Sequence, residues 1–532
     1  MAQALPTTSG ASTFADGLER FAAATSPQAA AVGMFLALVG AVGAAILIAT
    51  GGYMGYSLDD PYIHIAMAQR LLQGHYGINL GEITSPSSSV IWPFLLLPTA
   101  WTPFHLHMPL VLNVAFGAAT AWVFGRFAAG LELPDTWPAR HATRVALACL
   151  MVLATNLAGL AYTGLEHNLQ VLIAALVALA LLEHCNGKAL PAWIVALAAL
   201  GPSVRYEMLA ITAAVGLVLA MERHWRLLGL LAAGSLVLPA ALAAFLVANG
   251  NFPLPNSVMT KLTLGAAADA GNLSTLDRLL AWATRIVASY FQQSFIAKTA
   301  MIACLAVLAW HWRSSEGRRR VVLAAAVVVG VLHLLAGQFG WFYRYEIYAL
   351  AFCGMIAIGA VMPHSPKVAL YGVALASIAY LEAIGLTPRG ALNIYEQQFQ
   401  MHRFVTEHYR RPFAVNDLGW VSIDQPREGY VLDLWGLASN EAVRQRDKSP
   451  EWMDEVTRRH GAGLAMFYGT AFRGIPATWT KAGELRLASK RVTASDATVL
   501  FYATSVGDAV EIRAALRAFR PKLPPGVVLA IE

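Results

Sequence analysis

The sequence predicts a mainly α-helical membrane bundle of about eleven transmembrane helices, with a C-terminal α/β domain outside the cytoplasm. The first observation is composition: 57% of the 532 residues are hydrophobic and 13% are charged, whereas soluble domains carry roughly 25% charged residues. The second is a series of apolar runs, each near the roughly 20 residues that a helix needs to cross the hydrocarbon core. The third is a change after Pro388, where apolar runs shorten to strand length.

Residues 1–30 are rich in Ala, Ser and Thr, and we expect a mobile cytoplasmic tail. The first apolar run begins late and lacks a convincing cleavage site, so it is expected to be a retained helix rather than a signal peptide. Residues 31–387 are predicted to form the membrane domain. Its spans are predicted near 31–50, 107–128, 143–161, 168–184, 189–202, 206–221, 226–248, 296–312, 320–338, 345–362 and 366–386.

The orientation follows from charge. Basic residues gather in short loops between the apolar runs, at Arg126, Arg140, Arg144, Arg223, Arg226, Arg313, Arg318, Arg319 and Arg320. This is the positive-inside pattern, which places those loops and the N-terminus on the cytoplasmic side of the membrane. The net charge of +6 therefore indicates topology and not nucleic-acid binding. The apolar segment 90–101 is short and contains Pro93 and Pro98, so it is predicted to be a juxtamembrane or re-entrant helix.

An odd number of crossings puts residues 388–532 outside the cytoplasm as one soluble α/β domain. Strands are predicted within 412–423, 429–437, 463–470 and 497–504. Helical character is predicted for 450–460 and 508–519. The domain is expected either to hold an acceptor or to cap the membrane cavity.

The strongest chemical signal is the adjacent pair Asp59 and Asp60, which leaves the first membrane helix beside Tyr62 and His64. Asp60 is predicted to cap the following amphipathic helix, whose first turn contains Pro61. Capping accounts for one carboxylate but not for two at a membrane boundary, which favours function. Such a carboxylate can act as a general base or bind a divalent cation, the only cofactor for which we see candidate ligands.

Other charged residues fall in the predicted outer loops. Glu166 either supplies a favourable charge at a helix N-terminus or adds a second acid to a shared cavity. Arg205, Lys261 and Arg344 lie where the topology rule predicts few cations. Each alone can be explained by snorkelling beside interfacial aromatic rings. Three cations opposite an acidic pair are better explained by a phosphate site.

Several motifs are missing from the sequence. It contains no GxxxxGK[ST], HExxH, CxxC or GxSxG pattern, which argues against a primary ATP-driven pump. The four cysteines have no paired spacing, so neither a disulfide framework nor a zinc site is indicated.

In order along the chain, these segments resemble the GT-C superfamily of polytopic membrane glycosyltransferases, nearest to mycobacterial arabinofuranosyltransferase-like proteins. The matching stretches are SLDDPYIHIAMAQRLLQGH (57–75), TSPSSSVIWPFLL (84–96), TGLEHNLQVLI (163–173), PLPNSVMTK (253–261) and NDLGWVSI…VLDLWGL (416–437). The chain departs from relatives before Lys261, where they often carry aromatic residues, and after Arg205, where they often have Pro and an acid. These departures affect the expected identity of the donor sugar more than the expected class of reaction.

The resemblance implies an inverting glycosyltransferase that uses a polyprenyl-phosphate sugar and acts on a glycan, lipid or protein acceptor. Asp59, by preference, or Asp60 would be the base, with Glu166 as a further catalytic acid. The resemblance also implies that Arg205 and Lys261 lie near the donor phosphate. Their positions in or beside the outer loops make Arg344 a further candidate for the phosphate, and Tyr62, His64, Asn256 and Glu207 candidates for substrate binding. The alternative is a transporter or flippase for a lipid-linked or polar substrate. Against it, the charges cluster at one face and the sequence shows no pseudo-symmetric halves.

Overall fold

The computed structural model describes residues 25–260, 294–445 and 447–532, where the chain is mainly helical with one small mixed sheet. The helices up to residue 221 are α1 (Pro27–Ala49), α2 (Asp60–Leu72), α3 (Trp92–Leu95), α4 (Met108–Ala129), α5 (Arg140–Ala154), α6 (Leu157–Ala161), α7 (His167–Cys185), α8 (Ala192–Val204) and α9 (Leu209–Met221). The later bundle helices are α10 (Trp225–Ala248), α11 (Phe295–Ser314), α12 (Gly317–Ala336), α13 (Ile347–Val361), α14 (Pro366–Glu396) and α15 (Gln398–Arg403).

Seven of the described helical segments are long and apolar enough to cross a membrane: α1, α4, α7, α10, α11, α12 and the segment Pro366–Tyr409, which begins with α14. Three shorter apolar helices accompany them, Ala192–Val204, Tyr206–Met221 and Ile347–Val361. The predicted short segment 90–101 contains only α3 and a single 3-10 turn.

Two predicted helices have different bounds in the structure. The predicted span 143–161 is interrupted at Asn156, which has a left-handed backbone with φ of 49°, so it forms α5 and α6. The last predicted span was expected to end before Pro388, but α14 runs through that residue to Glu396. Proline disfavours a helix interior without forbidding it, and neighbouring Thr387 and Gly390 are buried against the rest of the fold.

The C-terminal domain contains six strands, β1 (Phe413–Val415), β2 (Val431–Asp433), β3 (Leu464–Tyr468), β4 (Thr480–Arg486), β5 (Thr498–Ala503) and β6 (Val528–Ile531). Their order in the sheet is β2-β1-β3-β5-β4-β6. The pairs that β1 makes with β2 and β3 are parallel, and the remaining pairs are antiparallel. The domain helices are α16 (Asn440–Arg444), α17 (Pro450–Arg459) and α18 (Val506–Phe519).

Both faces of the sheet are buried, as the alternation of side chains along a strand requires. One face, with Ala414 and Phe467, packs against α17. The other face, with Phe413 and Phe501, belongs to a core that continues through Trp420 into α2. The C-terminal domain therefore shares a hydrophobic core with the segment between α1 and α4, and this shared core positions the candidate site.

Candidate functional site

The adjacent carboxylates of Asp59 and Asp60 lie in different surroundings. The helix α2 begins at Asp60, so Asp59 occupies the N-cap position, and its side chain makes no capping hydrogen bond. The prediction that Asp60 caps this helix is therefore wrong. The buried Asp59 carboxylate instead accepts hydrogen bonds from the backbone N–H groups of Gly419, at 2.7 Å, and Trp420, at 2.9 Å. Asp60 keeps 43% of its side chain exposed and forms an ion pair with Arg344 at 2.7 Å.

Arg344 lies between α12 and α13, directly after three consecutive non-glycine residues with left-handed backbones, Trp341–Tyr343. Such conformations cost energy and are found mostly at functional sites. The Arg344 Nη2 group donates to Asp60 and to the hydroxyl of Tyr345, at 3.0 Å. Its Nε and Nη1 groups are buried and have no hydrogen-bond partner among the described residues. A buried donor without a partner costs about 1–3 kcal/mol, so this guanidinium has donors available for an anion.

Burial lowers the pKa of Arg344, but the neighbouring Tyr345 and Asp60 outweigh it and the net direction is upward. The guanidinium is therefore a fixed positive charge that lies 4.9 Å from the centroid of the Tyr345 ring. A fixed cation with unused donors beside a partly exposed carboxylate is suited to holding a phosphate next to a base.

Arg205 lies at the end of α8, and its donors are already used. Its Nη1 group donates to the buried Glu166 at 2.7 Å. Its Nε and Nη2 groups donate to the two carboxylate oxygens of Glu207, at 3.2 and 2.9 Å. Burial lowers the pKa of Arg205, but Glu207 and Glu166 raise it above its usual value. Glu166 occupies the N-cap position of α7, as the first of its two predicted roles requires, and it also pairs with Arg205. Arg205 has less capacity for an added anion than Arg344.

His64 interacts electrostatically with both sets of charged residues, Glu166 with Arg205 and Asp60 with Arg344. Its Nδ1 atom is 3.0 Å from the hydroxyl of Ser87. Burial lowers the pKa of His64, and the carboxylates of Glu166 and Asp60 raise it less than burial lowers it. The imidazole is therefore held in its neutral form, which can donate or accept a hydrogen bond.

The other predicted contacts lie at the interface with the C-terminal domain. The Tyr62 hydroxyl accepts from the backbone N–H of Tyr56 at 3.0 Å, and its ring centroid is 4.1 Å from that of Trp420. Asn256 donates to the side chain of Asn440 at 3.2 Å. Lys261 lies outside the described residues. Tyr62 and Asn256 thus join the two parts of the fold.

Sequence reasoning gave no role to Asp417, which follows β1. The Asp417 carboxyl group lies close enough to Asp59 for their charges to interact, and it accepts hydrogen bonds from Gln398, at 2.9 Å, and Tyr468, at 2.7 Å. Burial is the main cause that raises the pKa of both carboxyl groups, and each is further raised by a nearby acid. Both carboxyl groups therefore hold a proton more readily than a carboxyl group in water does. A polar residue directly after a buried strand is the local signal that could have singled out Asp417.

The loop between α2 and α3 binds the edge of the sheet. Asn79 donates to the carbonyl of Val431 and accepts from its N–H, both at 2.9 Å. Glu82 accepts from the N–H of Asn440 and from the hydroxyl of Tyr430. Because β2 is an edge strand, its outer backbone groups would otherwise lack partners. The loop therefore supplies partners to the outer edge of the sheet.

Comparisons with known proteins give one result. A family model described as "Domain of unknown function (DUF8728)" matches residues 392–502, which extend from the end of α14 to β5 and include Asp417 and Trp420. No curated protein and no solved structure matches the chain.

The sequence left open a divalent cation bound by the acidic residues, and the positions of these side chains bear on that possibility. Within residues 25–260, 294–445 and 447–532, no three His, Cys, Asp or Glu side chains are grouped so that they could hold a metal ion. Asp59 accepts from two backbone amides and Asp60 contacts a guanidinium. These contacts favour acid–base and anion-binding roles over metal ligation.

Proposed function

We propose that this protein is a polytopic membrane glycosyltransferase that moves a sugar, such as arabinofuranose, from a polyprenyl-phosphate donor to a glycan, lipid or protein acceptor. The seven long apolar helices and the three shorter ones support membrane insertion. With α5 as a further crossing, the eleven crossings leave the basic loops on the cytoplasmic side of a bacterial inner membrane. The candidate site and the C-terminal domain are then on the opposite side.

The observation that carries the proposal is the contact between Asp60 and Arg344. The carboxylate is partly exposed, whereas the guanidinium is buried and has two N–H groups without described partners. A donor phosphate is the kind of anion that such a guanidinium binds in a fork geometry. A phosphate that binds the Nε and Nη1 groups lies next to Asp60, which contacts the Nη2 group of the same guanidinium, so that the carboxylate is beside the reacting atoms.

The proposed reaction is a single displacement. Asp60 removes the proton of the acceptor hydroxyl while that oxygen forms a bond to the anomeric carbon. The bond between the anomeric carbon and the phosphate oxygen breaks, and its electron pair leaves with polyprenyl phosphate. Arg344 stabilises the developing charge, so the leaving group needs no proton. Attack from the opposite face inverts the anomeric configuration. The accessibility of Asp60 favours it over Asp59, which the sequence favoured as the base.

The test is turnover of purified protein in lipid vesicles, with a panel of polyprenyl-phosphate pentoses and hexoses and a mixture of acceptor glycans. We expect acceptor-dependent release of polyprenyl phosphate. Asp60→Asn should lower the rate by at least about 100-fold, because a positioned general base contributes about that much or more. The matched control is Asp135→Asn, since Asp135 is fully exposed at the other end of the bundle.

Equal loss in Asp60→Asn and in the control would contradict the role of Asp60. Movement of the labelled lipid across the bilayer without a new glycosidic bond would contradict transfer and favour the transporter. The variant Asp59→Asn tests the docking of the C-terminal domain rather than the chemistry. We expect it to loosen that domain, and increased sensitivity to protease measures the loosening.

A further inference from the structure

A second polar site lies at the opposite end of the bundle. A cavity of about 320 Å³ opens between the C-terminal ends of α4, α7 and α13 and the N-terminal end of α12. Asp60 and Arg344 lie next to the other ends of α13 and α12, so the cavity is separate from the site described above. The proposed reaction does not use it.

The polar wall of the cavity carries three cations, Arg126, Lys188 and Arg319, and two carboxylates, Glu132 and Glu183. Glu183 is shared, because Arg126 and Lys188 each lie 3.3 Å from one of its oxygens. Arg319 makes no ion pair within the described part of the chain. The wall therefore has an excess of one positive charge and a guanidinium whose charge is not neutralised by a neighbour.

The remaining wall is apolar and is formed by side chains such as Phe127, Leu182, Leu323 and Ile356. Gly359 leaves part of this space open, since a Cβ atom there would come within 3.1 Å of the Leu182 side chain and 3.9 Å of Phe127. A cavity with cations on one wall and apolar side chains on the other is complementary to an amphiphile rather than to a small soluble anion.

We propose that this cavity binds an anionic phospholipid, with the phosphodiester against Arg319, Lys188 and Arg126 and the first acyl segments against the apolar wall. The inference goes beyond the transferase reaction and rests on the membrane insertion and the orientation of the proposed function. Basic pockets between membrane helices on the cytoplasmic side are established sites for anionic head groups. The orientation proposed above places this cavity at that surface, where anionic lipids attract basic side chains.

The experiment measures lipid binding to the full chain in detergent by native mass spectrometry, with phosphatidylglycerol, phosphatidylcholine and soluble glycerol phosphate as probes. We expect retention of phosphatidylglycerol in preference to phosphatidylcholine. Arg319→Gln should weaken that binding about tenfold, which corresponds to the loss of one charge-assisted contact. Gly359→Leu should weaken it without changing any charge, because the added side chain fills the cavity. The matched control is Arg140→Gln, at the same end of the bundle but outside the cavity.

Thermal unfolding of each variant without added lipid shows that it is folded, so a loss of binding can be assigned to the site. Equal binding by Arg319→Gln, Gly359→Leu and the control would overturn the proposal. Displacement of the lipid by an equal concentration of glycerol phosphate would also overturn it, and would assign the cavity to a free phosphate compound. None of these measurements depends on glycosyl transfer, so failure of the proposed reaction is distinguishable from failure here.

Discussion

At the scale of single residues, Asp59 and Asp60 show how much depends on partners far away in sequence. Asp59 faces two backbone amides and a second carboxyl group, whereas Asp60 faces a guanidinium and solvent. The sequence predicted an acidic pair with a functional role. It could not assign the two residues, because Gly419 is 360 positions from Asp59 and local patterns do not report such contacts.

Asp417→Asn should stabilise the protein at neutral pH by about 1 kcal/mol, the net contribution of a typical hydrogen bond. The new amide carries no charge that opposes Asp59 and has an N–H group to donate, and its oxygen can still accept from Gln398 and Tyr468. The measurement is the melting temperature of the detergent-solubilised protein. The control is Asp447→Asn, an exposed position in the same domain.

Asp59 and Asp417 also determine the direction in which the stability of the protein changes with pH. Burial, with its neighbouring acids, raises the pKa of Asp59 and Asp417 above the usual values. Their contribution to stability is therefore fully present below the unfolded pKa of about 3.9 and is lost as pH rises through the raised pKa of the folded state. In melting curves between pH 4 and pH 9 we expect wild type to lose more stability than Asp417→Asn. Parallel curves would contradict the raised pKa values of the pair.

At the scale of elements, periodicity and composition predicted the helices well, and a helix or a pair of helices lies at every predicted span. The strands β4 and β6 were not predicted. Charged residues such as Lys481, Glu484 and Arg486 interrupt the apolar pattern of β4, and β6 has only four residues. Both strands are defined by pairing with distant partners rather than by their own sequence. The contact of the Asn79 loop with β2 could not be predicted either, because its two sides are far apart in the sequence.

Asn79→Ala should loosen the edge of the sheet. The Asn79 side chain supplies one donor and one acceptor to Val431, and their loss leaves two buried backbone groups without partners. We expect about 1–3 kcal/mol less protection of the amides in β2 in hydrogen exchange. Asn249→Ala is the matched control, because the Asn249 side chain is exposed and donates only within its own helix end. Unchanged protection of β2 would show that the loop does not hold the sheet edge.

At the scale of the whole molecule, charge and helix order divide the bundle into two unlike ends. The candidate site lies beside the C-terminal domain, and the basic cavity lies at the other end. Sequence reasoning predicted this polarity from loop charges and helix parity. It did not predict the cavity, because Arg126, Lys188 and Arg319 come together from three different helix ends.

The orientation is testable with single cysteines in a background in which the four native cysteines are replaced. We place one at Asp135, in the basic loop, and one at Glu428, an exposed residue of the C-terminal domain. A membrane-impermeant thiol reagent applied to spheroplasts, whose plasma membrane is intact, should label Glu428→Cys but not Asp135→Cys. Detergent permeabilisation should expose both positions. The reverse labelling would invert the topology, and equal labelling in intact spheroplasts would refute the odd number of crossings.

The close approach at Gly419 also has a consequence for synthesis of the chain. A Cβ atom at Gly419 would overlap the carboxylate of Asp59, so these two segments fit only when both have their final shapes. Asp59 leaves the ribosome hundreds of residues before its partner. During that interval the loop has contacts to earlier segments, such as that of Ser57 with Tyr162, but Asp59 lacks the two backbone amides that bind it in the folded protein. The order of synthesis therefore makes the pairing of Asp59 with Gly419 and Trp420 a late step in folding.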